Sequence, residues 1–244
     1  MKPRQRSALA LALLVLFGVP AAGGAGDPDL PDPRDRSLSG SERLEALVER
    51  VKLEQSRIET LEASFVQRQE SSMLVEPDVS QGVFSYSAPD SVRWEYLRPK
   101  PISVVIDGED MVTWYRDLGR AERLKVGRYS NHVLKYLGAS ASFQSLIDYF
   151  RITVTFPDDT SEPYRLELAP RYERIARRLR SMTVWVDPQR YLPVRLRYVA
   201  ADGDVTDYRF EDLKVNQGMP RDRFRLDLPA GVEVRDTALG RQGR

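Results

Sequence analysis

Ser91-Val92-Arg93-Trp94-Glu95-Tyr96 and, past Pro99-Lys100-Pro101, Ile102-Ser103-Val104-Val105-Ile106-Asp107-Gly108 carry the pattern from which the fold follows. Val92, Trp94 and Tyr96 alternate with Arg93 and Glu95; Ile102, Val104 and Ile106 alternate with Pro101, Ser103 and Val105. A period of two turns one set of side chains to an apolar interior and the other to water, so both stretches are half-buried strands. Asp107-Gly108 is a tight-turn signal and places Val112 to Arg116 on the returning strand of a hairpin.

The same alternation extends along the chain. Ile152 with Val154 and Phe156, Tyr164 with Leu166 and Leu168, Met182 with Val184 and Val186, Val194 with Leu196 and Tyr198, Tyr208 with Phe210, and Phe224 with Leu226 and Leu228 each predict a strand. Helical spacing occurs twice. Ser39-Gly40-Ser41-Glu42 has the capping-box pattern, and Leu44, Leu47, Val48, Val51 and Ile58 share one face, which predicts a helix over about 40–60. Phe143, Leu146, Ile147 and Phe150, behind Ser142 as a cap, predict a second helix, with a shorter one around Val133, Leu134 and Leu137. The fold class is α+β. About ten or eleven antiparallel strands are too many for a flat sheet, and an incomplete, unclosed β-barrel with helices over its open side accommodates them. With so few helices, the concave side either keeps an apolar cavity or is filled by side chains such as Trp94, Trp114 and Trp185.

Composition narrows the chemistry. The 244 residues include 37 Lys+Arg and 36 Asp+Glu, 41% hydrophobic residues, no Cys and one His, His132. This is the balance of a globular chain and argues against a nucleic-acid binder. Without Cys there is no disulfide, thiol nucleophile or zinc–thiolate site, and a lone imidazole leaves little scope for metal centres or Ser-His-Asp catalysis. No catalytic residue, metal or cofactor is expected, and the protein is not expected to be an enzyme. Asp158-Asp159 and Asp202 with Asp204 belong to turns, having too few oxygen ligands for a Ca²⁺ loop.

The N-terminal segment has the order of a signal peptide over residues 1–26: Lys2, Arg4 and Arg6, then Ala8 to Phe17 as an apolar stretch too short to span a bilayer, then Pro20-Ala21-Ala22-Gly23-Gly24-Ala25. A membrane anchor is the competing reading and would need more apolar residues. Removing the segment leaves 34 bases against 36 acids, a nearly neutral exported chain. Residues 27–38, with Pro28, Pro31 and Pro33, form a Pro/Asp-rich linker; 39–235 form a single domain, and 236–244 an exposed tail.

Several segments in series resemble the periplasmic outer-membrane lipoprotein carrier family, the LolA-like proteins. They are Leu61-Glu62-Ala63-Ser64-Phe65-Val66-Gln67, Gly82-Val83-Phe84 leading into Pro89-Asp90-Ser91-Val92-Arg93-Trp94-Glu95-Tyr96, Pro99, Val105-Ile106-Asp107-Gly108, Trp114-Tyr115, and Phe224-Arg225-Leu226-Asp227-Leu228-Pro229-Ala230-Gly231-Val232-Glu233-Val234. The resemblance implies an unclosed barrel with a helical lid, whose apolar interior shields the acyl chains of a lipoprotein, or a related lipid, as it passes from an inner-membrane ATP-driven exporter to an outer-membrane receptor. Under it the protein is periplasmic and monomeric. One position departs from the family pattern: where the family has an Arg that latches the lid, this chain has Ala88 before Pro89, leaving Arg93 or Arg98 as substitutes or no latch at all.

The residues expected to line a cargo site are Phe65, Phe84, Tyr86, Val92, Trp94, Tyr96, Val104, Ile106 and Trp114, each equally suited to plain core. Arg171, Arg174, Arg177 and Arg178, with Arg180 close by, form either a docking patch for headgroups or an acidic partner, or a solvated hairpin. The alternative function is a periplasmic lipid-binding sensor or adaptor on the same fold.

Overall fold

The computed structural model describes residues 30–108, 110–125 and 147–237. Helix α1 (Gly40–Ser56) is followed by β1 (Thr60–Glu70), β2 (Asp78–Ser87), β3 (Ser91–Arg98), β4 (Ile102–Asp107), β5 (Asp110–Tyr115) and β6 (Arg120–Lys125). The chain resumes with β7 (Phe150–Thr155), β8 (Tyr164–Pro170), a one-turn helix α2 (Glu173–Ala176), β9 (Leu179–Val186), β10 (Pro193–Ala200), β11 (Val205–Val215) and β12 (Glu233–Thr237). All twelve strands form one sheet in the order β12-β6-β5-β4-β3-β2-β1-β11-β10-β9-β8-β7. Its two end strands, β12 and β7, do not pair, so this is the unclosed barrel expected.

The capping box forms as the sequence predicts. Glu42 N–H donates to Ser39 Oγ (3.3 Å), and Ser39 N–H donates to Glu42 Oε2 (2.7 Å). Beyond Ser56 the helix stops, because the chain must turn through Ile58 into β1. Asn216, the residue after β11, holds that turn. Its Oδ1 accepts from Glu59 N–H (2.7 Å) and Thr60 N–H (3.1 Å), and its Nδ2 donates to Arg57 O (2.7 Å).

The register sorts the sheet into two faces. On the concave face Trp94 sits opposite Phe84 and Val104, Val92 opposite Tyr86 and Ile106, and Phe65 opposite Phe210. Leu196, Val184 and Leu166 continue the row. These residues are buried in one core cluster with Leu47, Val48 and Val51 of α1. The helix lies toward the β7–β10 side, where the Arg43 guanidinium is 3.9 Å from the Phe156 ring centre and that of Arg50 is 5.5 Å from Tyr191. Residues 30–38, expected as a linker, run back along the helix: Arg43 Nε donates to Pro33 O (2.8 Å), and Arg50 Nε to Pro31 O (3.0 Å).

Four expectations are corrected. The strand count is twelve, and β12 pairs parallel to β6. Phe224, Leu226 and Leu228 do not form a strand: Arg221–Phe224 is a 3-10 turn, and the chain then crosses the outer face without ladder pairing before reaching β12. This strap is why Ser85, Ser103, Val105 and Ala121, which face outward, are nevertheless buried. The expected second helix is present in its described part, residues 147–149, and ends one residue early, with Phe150 opening β7. His132, the expected helix around Val133, Leu134 and Leu137, residues 142–146 of the second helix, and the signal segment lie outside the described residues. Asp236 and Thr237, read as tail, belong to β12.

Candidate functional site

The concave face is built around Trp94. Its ring lies 4.6 Å from Phe84 and 4.9 Å, edge-on, from Phe65; Phe65 in turn meets Tyr96 edge-on at 5.1 Å, and Tyr208 is 6.0 Å from Trp94. Edge-to-face packing of this kind aligns ring edges with ring faces and adds to the burial term. Gly82 makes the cluster possible. A Cβ there would lie 2.6 Å from Phe65 Cζ and 2.0 Å from Glu95 O, so the Phe65 ring rests on bare backbone.

Eight of the nine expected lining residues, Phe65, Phe84, Tyr86, Val92, Trp94, Tyr96, Val104 and Ile106, come together on this face. Trp114 does not. It pairs with Ser103 and Ala121, one residue out of phase with Val104, and so faces outward, its ring 4.8 Å from the Arg116 guanidinium. Trp185 is likewise on the outer face, under Arg195 at 4.3 Å. Of the three tryptophans, only Trp94 occupies the interior.

The face is apolar but not free of polar atoms. Among the described residues, Trp94 Nε1 and Tyr86 Oη are buried with no hydrogen-bond partner. Burial pushes the Tyr86 phenol up to about 12, with the Asp90 charge adding to it. The Tyr96 phenol is also raised to about 12 by burial, against a hydrogen bond with Tyr208 at 3.5 Å. The lining therefore stays neutral through any physiological pH and offers donors, not charges.

Neither substitute for the missing latch reaches this face. Arg93 points outward, with Nε 2.7 Å from Glu95 Oε2 and one terminal nitrogen 2.9 Å from Arg223 O, where it pins the strap. Arg98 also faces outward and donates to Gln81 Oε1 (2.8 Å). Ala88 is exposed on the β2–β3 turn. Two small cavities lie along the strap, one of about 110 Å³ under Phe224, Leu226 and Leu228, the other of about 260 Å³ between Glu62, Lys214 and Arg223. The sequence reading missed both, since they depend on the strap's path across the outer face.

The arginine patch is exposed on the β8–β9 connection. Arg171 Nε donates to Phe150 O (2.9 Å), Arg174 lies against Tyr149 and Tyr172, and Arg177 pairs with Glu173 at 2.8 Å. Among the described residues no group of three or more His, Cys, Asp or Glu is placed to hold a metal ion, and no helix is long and apolar enough to cross a membrane.

The family model of the outer membrane lipoprotein carrier protein LolA matches residues 56–227, from the end of α1 to the strap. The chain belongs to the LolA family. It is 29% identical over 192 residues to an outer-membrane lipoprotein carrier protein of Alkalilimnicola ehrlichii, covering 75% of this chain and 81% of that one. A protein of the same description from Dechloromonas aromatica is 26% identical over 191 residues, covering 72% and 80%. Among solved structures, an uncharacterized conserved protein from Thermus thermophilus superposes with a TM-score of 0.48 at 12% identity, over 80% of this chain and 99% of that one. A LolA superfamily protein from Nitrosomonas europaea does so with 0.39 at 12% identity, over 75% and 97%.

Proposed function

We infer that this protein is a non-enzymatic periplasmic carrier that holds the acyl chains of a lipoprotein, or a related lipid, against the concave face of its open barrel and passes them toward the outer membrane, loaded by an inner-membrane ATP-driven exporter and unloaded by an outer-membrane receptor. The observation that carries the reading is the concave face itself, a continuous cluster of apolar side chains from β4 to β8, buried in the structure, in which Trp94 Nε1 and Tyr86 Oη are among the buried polar atoms that lack partners. An orphaned buried donor costs about 1–3 kcal/mol. The ester carbonyls that join acyl chains to a glyceryl group are acceptors of the size and polarity to relieve that cost, while the methylenes beyond them match the rings.

Energetics set how the cargo is held. At about 0.8 kcal/mol per buried CH₂, three acyl chains of some sixteen carbons would gain on the order of 30 kcal/mol, past the ceiling of about 20 kcal/mol for reversible association. A carrier that buried them all would never release them. Partial cover by an open barrel, with neither Arg93 nor Arg98 turned inward, suits reversible holding.

Brominated palmitate tests the reading, because bromine quenches only tryptophans that it touches. In the full chain the quenching should come from Trp94. Trp94→Phe should abolish it, while Trp114→Phe and Trp185→Phe, altering outer-face residues, should preserve it. Quenching that persists undiminished in Trp94→Phe puts the ligand elsewhere, and the absence of both quenching and co-purifying lipid in native mass spectrometry overturns the carrier reading. A stable complex with an envelope protein, formed without any lipid, would favour the adaptor alternative.

A further inference from the structure

The exposed apolar side chains are not scattered. All eight large ones among the described residues, Met73, Leu74, Val75, Val79, Leu97, Leu118, Tyr172 and Val234, belong to one end of the barrel. The topology shows this: β1 ends and β2 begins there, as do β3 and β4, β5 and β6, and β8 and β9, and β12, being parallel to β6, starts there. Met73 is 86% exposed, Leu118 66%, and Val75 fully exposed. Solvent-facing side chains of this size on a loop tip have no packing role, and eight of them converging on one rim need another explanation.

Charge is concentrated at one place on the rim. The β8–β9 connection holds Arg171, Arg174, Arg177 and Arg178 against a single acid, Glu173, and the β3–β4 connection adds Lys100. The other described rim connections carry Arg116 against Glu76, Asp117, Asp148, Asp202 and Asp204, so the rim as a whole is balanced and its positive patch is the arginine hairpin. At the opposite end, the strap aside, the described residues of the connections carry six acids, Glu59, Asp90, Asp158, Asp159, Glu162 and Asp187, and only two bases, Arg57 and Arg190.

We propose that this rim docks the protein onto an anionic phospholipid surface, with the Met73-Leu74-Val75 tip entering the headgroup layer and the arginine hairpin meeting lipid phosphates. Met73, Leu74, Val75, Leu118 and Tyr172 stand on three separate loops, and Val79, Leu97 and Val234 near the rim ends of β2, β3 and β12, an arrangement that a fluid surface admits and that gives a folded partner no single pocket or ridge to fit. Guanidinium groups pair with phosphate oxygens in a two-pronged manner, and an interfacial helix or loop gains from apolar insertion and anionic attraction together. The acid-rich end faces away from the same membrane by repulsion, so the orientation is fixed as well as the contact. The inference stands on the surface alone and does not require the carrier reading.

Because the chain has no cysteine, a single introduced thiol reports on one place. Ser72→Cys on the β1–β2 tip and Thr160→Cys at the opposite end, each labelled with an environment-sensitive fluorophore in the full chain, are mixed with vesicles of phosphatidylethanolamine containing one-quarter phosphatidylglycerol, or of phosphatidylcholine alone. The Ser72 label should shift to the blue on the anionic vesicles, weaken as salt rises, and stay unchanged on the neutral ones; the Thr160 label should not respond. Replacing Met73, Leu74 and Val75 together by Ser should lower vesicle partitioning by about tenfold or more. Arg174→Gln with Arg177→Gln and Arg178→Gln should remove the preference for anionic lipid, with an unchanged melting temperature in both variants. No response from the Ser72 label, an equal response on neutral vesicles, or undiminished binding by the triple Ser variant overturns the proposal. Palmitate quenching of Trp94, measured on the same variants without vesicles, should be unaffected, which separates failure of docking from failure of the carrier reading.

Discussion

Gly82→Ala should destabilise the fold more than an Ala substitution in a strand ordinarily does. Gly82 lies at a register irregularity between β2 and β3, opposite Tyr96 on one side and Phe65 on the other. The added methyl carbon would stand 2.0 Å from Glu95 O and 2.6–2.7 Å from two atoms of the Phe65 ring. The ring could swing, at the expense of its contacts with Trp94 and Tyr96; the carbonyl belongs to the β3 backbone and moves only if the ladder parts. Overpacking a tight interior costs about 1–3 kcal/mol, and a backbone clash sits at the top of that range or beyond, so about 3 kcal/mol is expected. For a domain of this size that is a fall in melting temperature of about 6–12 °C. Urea unfolding followed by far-UV circular dichroism measures it.

The double variant separates the two clashes. Phe65→Leu alone removes aromatic edge contacts and some volume, about 1–2 kcal/mol. If the carbonyl is the limiting contact, Gly82→Ala with Phe65→Leu remains as unstable as the sum of the two changes. If the ring limits, Phe65→Leu rescues Gly82→Ala. Full rescue, or a Gly82→Ala loss below about 0.5 kcal/mol, would refute the reasoning that β2 and β3 approach at this point without room for a side chain.

Three further outcomes are expected. Glu95→Gln should cost about 2 kcal/mol, because Glu95, only 12% exposed, is shared by Arg93, Arg116 and Ser103 Oγ (3.0 Å), and neutralising it leaves two half-buried guanidinium groups; denaturation that shows no loss would mean the cluster is solvated. Tyr86 and Tyr96 ionise near pH 12 in the fold and near 10 when unfolded, so their neutral forms add stability that is complete below pH 10 and disappears between 10 and 12; a phenolate titration in which all eleven tyrosines ionise together near pH 10, with the fold intact, would contradict it. Asn216→Ala should lower stability by about 2 kcal/mol through three lost side-chain hydrogen bonds and a φ of 54°, with Asn216→Gly recovering only the backbone part; equal losses for the two variants would show that the side-chain bonds matter and the dihedral does not.

The sheet was legible in the sequence where one face is wet and the other dry. Trp94, Leu166 and Leu196 stand between charged neighbours, and they, with Val104 and Val184, lie on the concave face where the period places them. Trp114 defeated the same logic. Aromatic size suggested the interior, but the period decides the face: Trp114 is one residue past Thr113, which is opposite Val104, and so is out of phase. The strap defeated it in a different way. Phe224, Leu226 and Leu228 alternate as a strand would, yet alternation records only that one side of an extended segment meets an apolar surface, and here that surface is the outer face of the sheet instead of a second ladder.

That distinction also explains why the two faces carry different functions in this reading. A sheet wetted on its outer face would bury only the concave side, and Ser85, Ser103, Val105 and Ala121 would be exposed. Instead the strap, held by Arg93 to Arg223 O and by Arg223 to Glu62 at 3.0 Å, closes the outer face of β2–β6, which stiffens that half of the barrel from behind. A barrel that never closes has no ring of hydrogen bonds to fix its curvature, and a concave face whose buried lining would have to part to admit an apolar cargo cannot be the element that does so. Bracing it from outside resolves the conflict, and the same crossing carries the chain from β11 to the far edge, where only a parallel β12 can be added.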